Sequence, residues 1–224
     1  TATAPQGAVV FWRDGRAEGM EKTLKMADTL MANRQYGQAC DVLGPLADAQ
    51  PRLAPARFLL SKALLLAGRF AESEKEALAC FALDNDKPDL LFGLARQLGN
   101  FLRRDEVRAC LSRPRFRREA PAAALAEAAV LLNGLGDSET AMQLLELALA
   151  RDPRHAPSLY FRGNLKLFAG AFDAANDDYE RCLSHSPGYA QAAWMQSSIR
   201  TWTTEQNHVS RLRQQLRNAQ PGLA

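Results

Sequence analysis

A small residue returns every 34 positions along the sequence, at Ala27, Ser61, Ala95, Ala129, Gly163 and Ser197. A second series stands twelve residues further on, at Ala39, Ser73, Val107, Ala141, Ala175 and Val209. A third lies twelve beyond that, at Pro51, Asn85, Glu119, Pro153, Pro187 and Pro221. No insertion or deletion breaks the phase from about residue 20 to the end. Self-similarity of this length marks two-helix units that stack into a solenoid, since one hairpin cannot bury its apolar face alone. The expected architecture is all-α, and the expected role is to hold another molecule.

Composition agrees. Hydrophobic residues make up 47% and charged residues 24%, ordinary values for a folded chain. Ala and Leu dominate while Val, Ile and Thr are sparse, which favours helix over strand. The net charge of +3 is too small to imply nucleic acid. Cys40, Cys80, Cys110 and Cys182 fall inside predicted helices without a C-x-x-C pair. They read as small core residues with free thiols, as in a reducing compartment. No run reaches the roughly 18 apolar residues of a membrane span, and Thr1–Gly7 has no signal-peptide pattern. The expected location is cytoplasmic, although the missing initiator Met leaves a processed targeting signal open.

The two clearest repeats run Ala122–His155 and Ala156–Tyr189. Their first helices are predicted over Ala123–Asn133 and Ser158–Ala169, their second over Ser138–Ala150 and Phe172–Ser184. Gly136 and Gly170 hold the turn, where a Cβ would oppose the backbone conformation. Asp137 and Asp173 stand where a carboxylate can accept orphan N–H bonds. Pro153 and Pro187 end the second helix. Small residues at Ala129, Gly163, Ala141 and Ala175 let the helices approach, with Leu132, Leu144, Leu145, Leu165, Tyr179 and Leu183 filling the space beside the crossing.

These residues resemble the tetratricopeptide repeat (TPR) family. Its motif has small residues at positions eight and twenty, Gly at fifteen, an aromatic at seventeen and Pro at thirty-two. Gly68 with Phe70 and Gly170 with Phe172 match, as do Ala39, Ala141, Ala175, Pro51, Pro153 and Pro187; Tyr36 fits without its glycine, Arg34 standing there. The resemblance implies a right-handed α-solenoid of about five repeats, 20–53, 54–87, 88–121, 122–155 and 156–189. A degenerate sixth repeat or capping helix follows over 190–224, and residues 1–19 form an arm or partial cap. The sixth loses the turn glycine to Thr204, and its run Arg211, Arg213, Gln214, Gln215, Arg217 and Asn218 supplies a polar terminal face. The third repeat departs most, because Leu102 replaces the turn glycine and Pro114 ends the second helix near Arg113. A shortened hairpin with an irregular loop over Arg115–Glu119 is expected.

In this family the first helices line a concave groove, with positions five and nine facing it. Those positions hold Leu24, Phe58, Phe92, Ala126, Tyr160 and Trp194, and Asp28, Lys62, Arg96, Val130, Asn164 and Ser198. Lys62, Arg96 and Asn164 do not reproduce the clamp that chaperone-tail binders use for a terminal carboxylate. Tyr160, Asn164, Phe168, Trp194, Ser198 and Trp202 are the expected partner-binding residues, for a helix or extended segment. Tyr160 and Trp194 read equally as packing residues, and Phe58 and Phe92 as core. A second candidate is the arginine run Arg96, Arg103, Arg104, Arg108, Arg113, Arg115, Arg117 and Arg118, which only Asp105 and Glu106 oppose within the run. It reads either as a solvated face or as a patch for phosphate, sulfate or an acidic partner. Only Phe116 interleaves with the dense end of the run, which argues against single-stranded nucleic acid.

Nothing supports catalysis. His155, His185 and His208 lack a metal or triad partner at suitable spacing, no nucleotide or nucleophile-elbow motif occurs, and Asp84–Asp86 lacks the rest of a calcium loop. No cofactor or metal is expected. The stretch Ala193–Leu216, centred on Thr203–Val209, also resembles the junction in bacterial proteins that join TPR repeats to a sulfotransferase domain. That resemblance implies a non-catalytic regulatory or substrate-presenting module of a larger enzyme. The expectation is a protein or peptide binder without nucleic acid or membrane span, with self-association as a further option.

Overall fold

The computed structural model describes residues 17–199, 209, 210 and 213. Among these, twelve α-helices occur and no strand. They are α1 (Ala17–Ala32), α2 (Tyr36–Ala49), α3 (Ala54–Leu66), α4 (Phe70–Phe81), α5 (Pro88–Gly99), α6 (Arg104–Leu111), α7 (Pro114–Glu119), α8 (Ala122–Gly134), α9 (Ser138–Arg151), α10 (Ala156–Phe168), α11 (Phe172–His185) and α12 (Ala190–Ile199). The period is visible in the backbone: second helices open at Tyr36, Phe70, Arg104, Ser138 and Phe172, each 34 residues after the last. The architecture is a solenoid of antiparallel helical hairpins.

One turn geometry recurs at every hairpin. Gly68, Gly136 and Gly170 have φ of 78°, 79° and 80°. Arg34 and Leu102, at the same phase, adopt φ of 60° and 56°. The departures from glycine therefore do not change the turn. At each, the next residue's N–H reaches back five residues, as from Gln35 to the Leu30 carbonyl and from Arg103 to the Leu98 carbonyl. This closes the first helix in a Schellman arrangement, and the hydrogen bonds hold even a leucine in the left-handed region.

The chain divides into two compact bodies after Arg118, near the end of α7. In the N-terminal body, Ala27, Ser61, Ala95, Ala39, Ser73 and Val107 are all fully buried at the helix crossings. Ser61 and Ser73 exchange hydrogen bonds with each other's carbonyl at 2.8 and 2.7 Å. Gln97 Nε2 donates to the Ser61 carbonyl and to Ser73 Oγ at 3.1 and 2.9 Å. The serines thus satisfy their polar groups inside the core and tie α3 and α4 to α5. The third repeat is shortened as expected: α6 stops at Leu111. The expected irregular loop over Arg115–Glu119 is instead the helix α7, with Pro114 at its first position and Phe116 fully buried 6.2 Å from Phe92. A proline there presets the helical φ without losing a needed donor.

In the C-terminal body, Ala129, Ala141 and Ala175 are buried. Gly163 lies against the Tyr179 ring. Asp137 caps α9, accepting from the Thr140 N–H at 3.2 Å. α11 starts from Ala171, which offers no side-chain cap, and Asp173 lies in its first turn as expected. His155 caps α10 through Nδ1, which accepts from the Ser158 N–H. Val209 is 43% exposed, unlike its buried counterparts in the earlier repeats. The expected N-terminal arm, apart from residues 17–19, and most of the polar cap run lie outside the described residues.

All four cysteines are buried free thiols. Cys80 and Cys182, three periods apart, each donate to the carbonyl of the residue that opens the preceding helix, Ala54 and Ala156, at 3.4 Å.

Candidate functional site

Consecutive first helices leave a notch between them, and each body has one in the same register. In the N-terminal body α3 and α5 enclose about 360 Å³, lined by Phe58, Lys62, Leu65, Leu66, Gly93, Arg96, Gln97 and Asn100. In the C-terminal body α8 and α10 enclose about 150 Å³, lined by Ala129, Val130, Asn133, Phe161, Asn164, Leu165 and Phe168, with Leu145 of α9. Lys62 corresponds to Val130, Gly93 to Phe161, Arg96 to Asn164 and Asn100 to Phe168, each two periods on. One notch is thus cationic and the other apolar.

Of the residues expected from the sequence, Asn164 and Phe168 line the apolar notch. Phe168 is 81% exposed. The Tyr179 hydroxyl donates to Asn164 Oδ1 at 2.7 Å, which turns the amide so that its NH₂ faces away from that bond. Tyr160 belongs to the packing instead. It is half-buried, with ring centroids 5.2 Å from Phe161, 5.3 Å from Tyr189 and 6.2 Å from Tyr179. Trp194 is 71% exposed on α12 but does not line the notch. Ser198 is exposed, and its hydroxyl donates to the Trp194 carbonyl at 3.1 Å. Trp202 lies outside the described residues. Phe161 was not foreseen: its counterpart Gly93 carries no side chain, so the period gave no sign of it.

The arginine run is not one patch. Arg103 faces Glu74 at 3.0 Å, Arg108 faces Asp105 at 3.8 Å, Arg113 faces Asp84 at 2.5 Å and Arg115 faces Asp86 at 3.2 Å. Three of these acids come from the preceding hairpin and its connection, which a count along the run could not include. The same pairs occupy the Asp84–Asp86 segment with guanidinium groups. Arg104 and Arg118 are exposed and Arg117 is half-buried, on α6 and α7. Arg96 stands apart on α5, its guanidinium 5.9 Å from the Phe92 ring centre, at the edge of the cationic notch.

Between α10 and α11 a group of cations surrounds a buried carboxylate. Asp178, 1% exposed, accepts from Arg162 Nε at 2.8 Å and Lys166 Nζ at 2.7 Å, with Arg181 at 3.9 Å. Burial pushes its carboxyl pKa up, but the hydrogen bonds and charges of Arg162 and Lys166 outweigh this and hold it below the ordinary value. Burial also pushes the Tyr179 phenol up, so it stays a hydrogen-bond donor to Asn164.

Among the described residues no group of three or more His, Cys, Asp or Glu is placed to hold a metal ion, and no helix is long and apolar enough to cross a membrane.

Hairpins of this geometry, packed through small residues and notched between first helices, define a helical-repeat fold of the TPR type. No family model and no curated protein matches the sequence. Solved structures do resemble the fold. YrrB, described as a TPR protein with an unusual peptide-binding site, has a TM-score of 0.63 at 13% identity, covering 86% of this chain and 98% of its own. A MamA protein has 0.62 at 14%, covering 79% and 96%. Pseudomonas aeruginosa PilF has 0.61 at 13%, covering 93% and 95%. The chain has the fold of these proteins. Of the Thr203–Val209 centre of the sulfotransferase-fusion resemblance, Val209 alone falls among the described residues.

Proposed function

We propose that the protein is a non-catalytic interaction scaffold that binds a peptide or protein segment at the notch between α8 and α10. The observation that carries this reading is Phe168, 81% exposed at the edge of a recess that Val130, Phe161 and Leu165 make apolar. An aromatic ring left in water beside an apolar recess is an anchor for a partner, because covering both removes apolar surface from water. Asn164 adds direction. With Oδ1 engaged by Tyr179, its NH₂ is the free end of the amide and donates to a backbone carbonyl of the ligand. An apolar side chain in the notch and a carbonyl on Asn164 together fix the register of a bound segment.

The test is selection of capped twelve-residue peptides from a random display library on the full chain, followed by fluorescence polarisation. Peptides with a fixed apolar position are expected. Phe161→Ala/Phe168→Ala should weaken them by about tenfold or more, at the hot-spot scale. Unchanged binding to that variant would overturn the assignment of this notch.

A further inference from the structure

We infer that the notch between α3 and α5 recognises a glutamate side chain of a bound peptide. The inference rests on reading these notches as peptide sites, and concerns what this one selects. Lys62 and Arg96 project from neighbouring first helices into the same recess, and both are exposed. Neither has an ion-pair partner among the described residues, and no carboxylate lines the recess. The contrast with Arg103, Arg108, Arg113 and Arg115 is direct, since each of those faces an acid. Two like charges held over one recess repel each other, and an anion between them relieves that repulsion.

The shape of the recess narrows the anion. Its walls are Phe58 and Leu65, which favour an aliphatic stem below a charged head. A glutamate lays two methylenes against these rings and chains before its carboxylate reaches the cations. Arg96 lies over Phe92, so its planar fork is already ordered for a two-bond carboxylate contact. Gly93 keeps the recess open: a Cβ there would meet Phe58 Cζ at 2.6 Å and drive the ring from its place. Gln97 does not compete, because its NH₂ is spent on Ser61 and Ser73. In the other notch Val130 and Asn164 replace the two cations, so that recess has no reason to prefer an acid.

The peptide selection is repeated on the full chain carrying Lys62→Glu/Arg96→Glu. Both side chains are exposed, and circular dichroism verifies that the variant is folded. Wild type should enrich a glutamate at a fixed position, and replacing that glutamate by glutamine should weaken binding by about tenfold, the scale of one charge-assisted hydrogen bond. The double variant should lose the glutamate and enrich lysine or arginine there. Selected peptides without a fixed acid, bound equally by both proteins, would overturn this inference and leave the apolar notch standing. An absence of selected peptides would overturn both. A phosphoserine peptide binding tenfold tighter than its glutamate counterpart would overturn the assignment to glutamate.

Discussion

The ring of Tyr179 occupies the space that a side chain at Gly163 would need: a Cβ there would lie 2.7 Å from Tyr179 Cε1. Tyr179 is fully buried, so its ring has nowhere to retreat. Gly163→Ala should therefore cost about 1–3 kcal/mol through overpacking. Gly93→Ala provides the control. Its close neighbour is the far end of Phe58, a half-buried side chain at the recess, and alanine gains up to about 1 kcal/mol over glycine inside a helix. Melting curves should show Gly163→Ala well below wild type and Gly93→Ala close to it. Equal melting temperatures for the two would refute the packing argument.

Leu102, at φ 56° and 76% exposed, holds a left-handed turn with nothing packed over it. Leu102→Gly should raise stability by up to about 1 kcal/mol, because glycine enters this region without steric cost. Gly170→Ala should lower it by a similar amount. Urea midpoints moving the other way would show that the leucine is held by interactions other than the turn.

Asp178 makes stability depend on acid. Its native carboxyl binds a proton less readily than an unfolded aspartate does. Its contribution is therefore complete above about pH 4, the ordinary aspartate range, and is lost as pH falls through the depressed native value. Asp178→Asn should flatten the acid limb of a stability–pH profile. It should also cost a few kcal/mol at pH 7, about 3 as for a broken buried pair, less whatever Arg162 and Lys166 recover from water. An unchanged acid limb would remove Asp178 from the explanation.

The Ser61–Ser73–Gln97 knot is testable by a double-mutant cycle. Ser73→Ala removes the acceptor for Gln97 and the donor to the Ser61 carbonyl, at an expected cost of about 1–3 kcal/mol for buried groups left unpaired. Gln97→Leu should cost less in the Ser73→Ala background than alone, and additive losses would show the two residues to be uncoupled.

Cys80 and Cys182 have thiol pKa values pushed up to about 11 by burial, and Cys110 to about 12. A group with a raised native pKa contributes stability below its unfolded pKa, near 8.5 for cysteine, and loses it as pH rises toward the native value. At pH 8 these thiols should react with a disulfide reagent only after denaturation. Prompt labelling of the native protein would show that the helices around them open.

Much of the fold could be read from the period because small residues at crossings and the turn position are local demands that recur. Gly136, Pro153 and the truncated α6 declare themselves in this way. Phe58 and Phe92, expected as core, are both half-buried, Phe58 lining the notch and Phe92 stacking on Phe116; the burial of Phe116 was not legible, since Pro114 reads as an end rather than the start of α7. The ion pairs of Arg113 and Arg115 lay beyond reach because their acids, Asp84 and Asp86, stand 29 residues earlier. Tyr160 and Phe161 are sequence neighbours on one helix. The expected phase selected the first, whereas the notch uses the second, because the fifth position of this repeat is taken up by packing against Tyr179 and Tyr189. Asn164 and Phe168 were legible because their positions face the recess whatever fills the neighbouring one.

Because Lys62 and Val130, or Arg96 and Asn164, hold equivalent seats on a common frame, the chemistry each recess presents is set by a few side chains that the helices do not need for their own cohesion. Exchanging Lys62 for valine and Arg96 for asparagine would give the cationic recess the lining of the apolar one while its backbone stayed as it is. A molecule built this way can acquire a new ligand by changing occupants, without inventing a new shape.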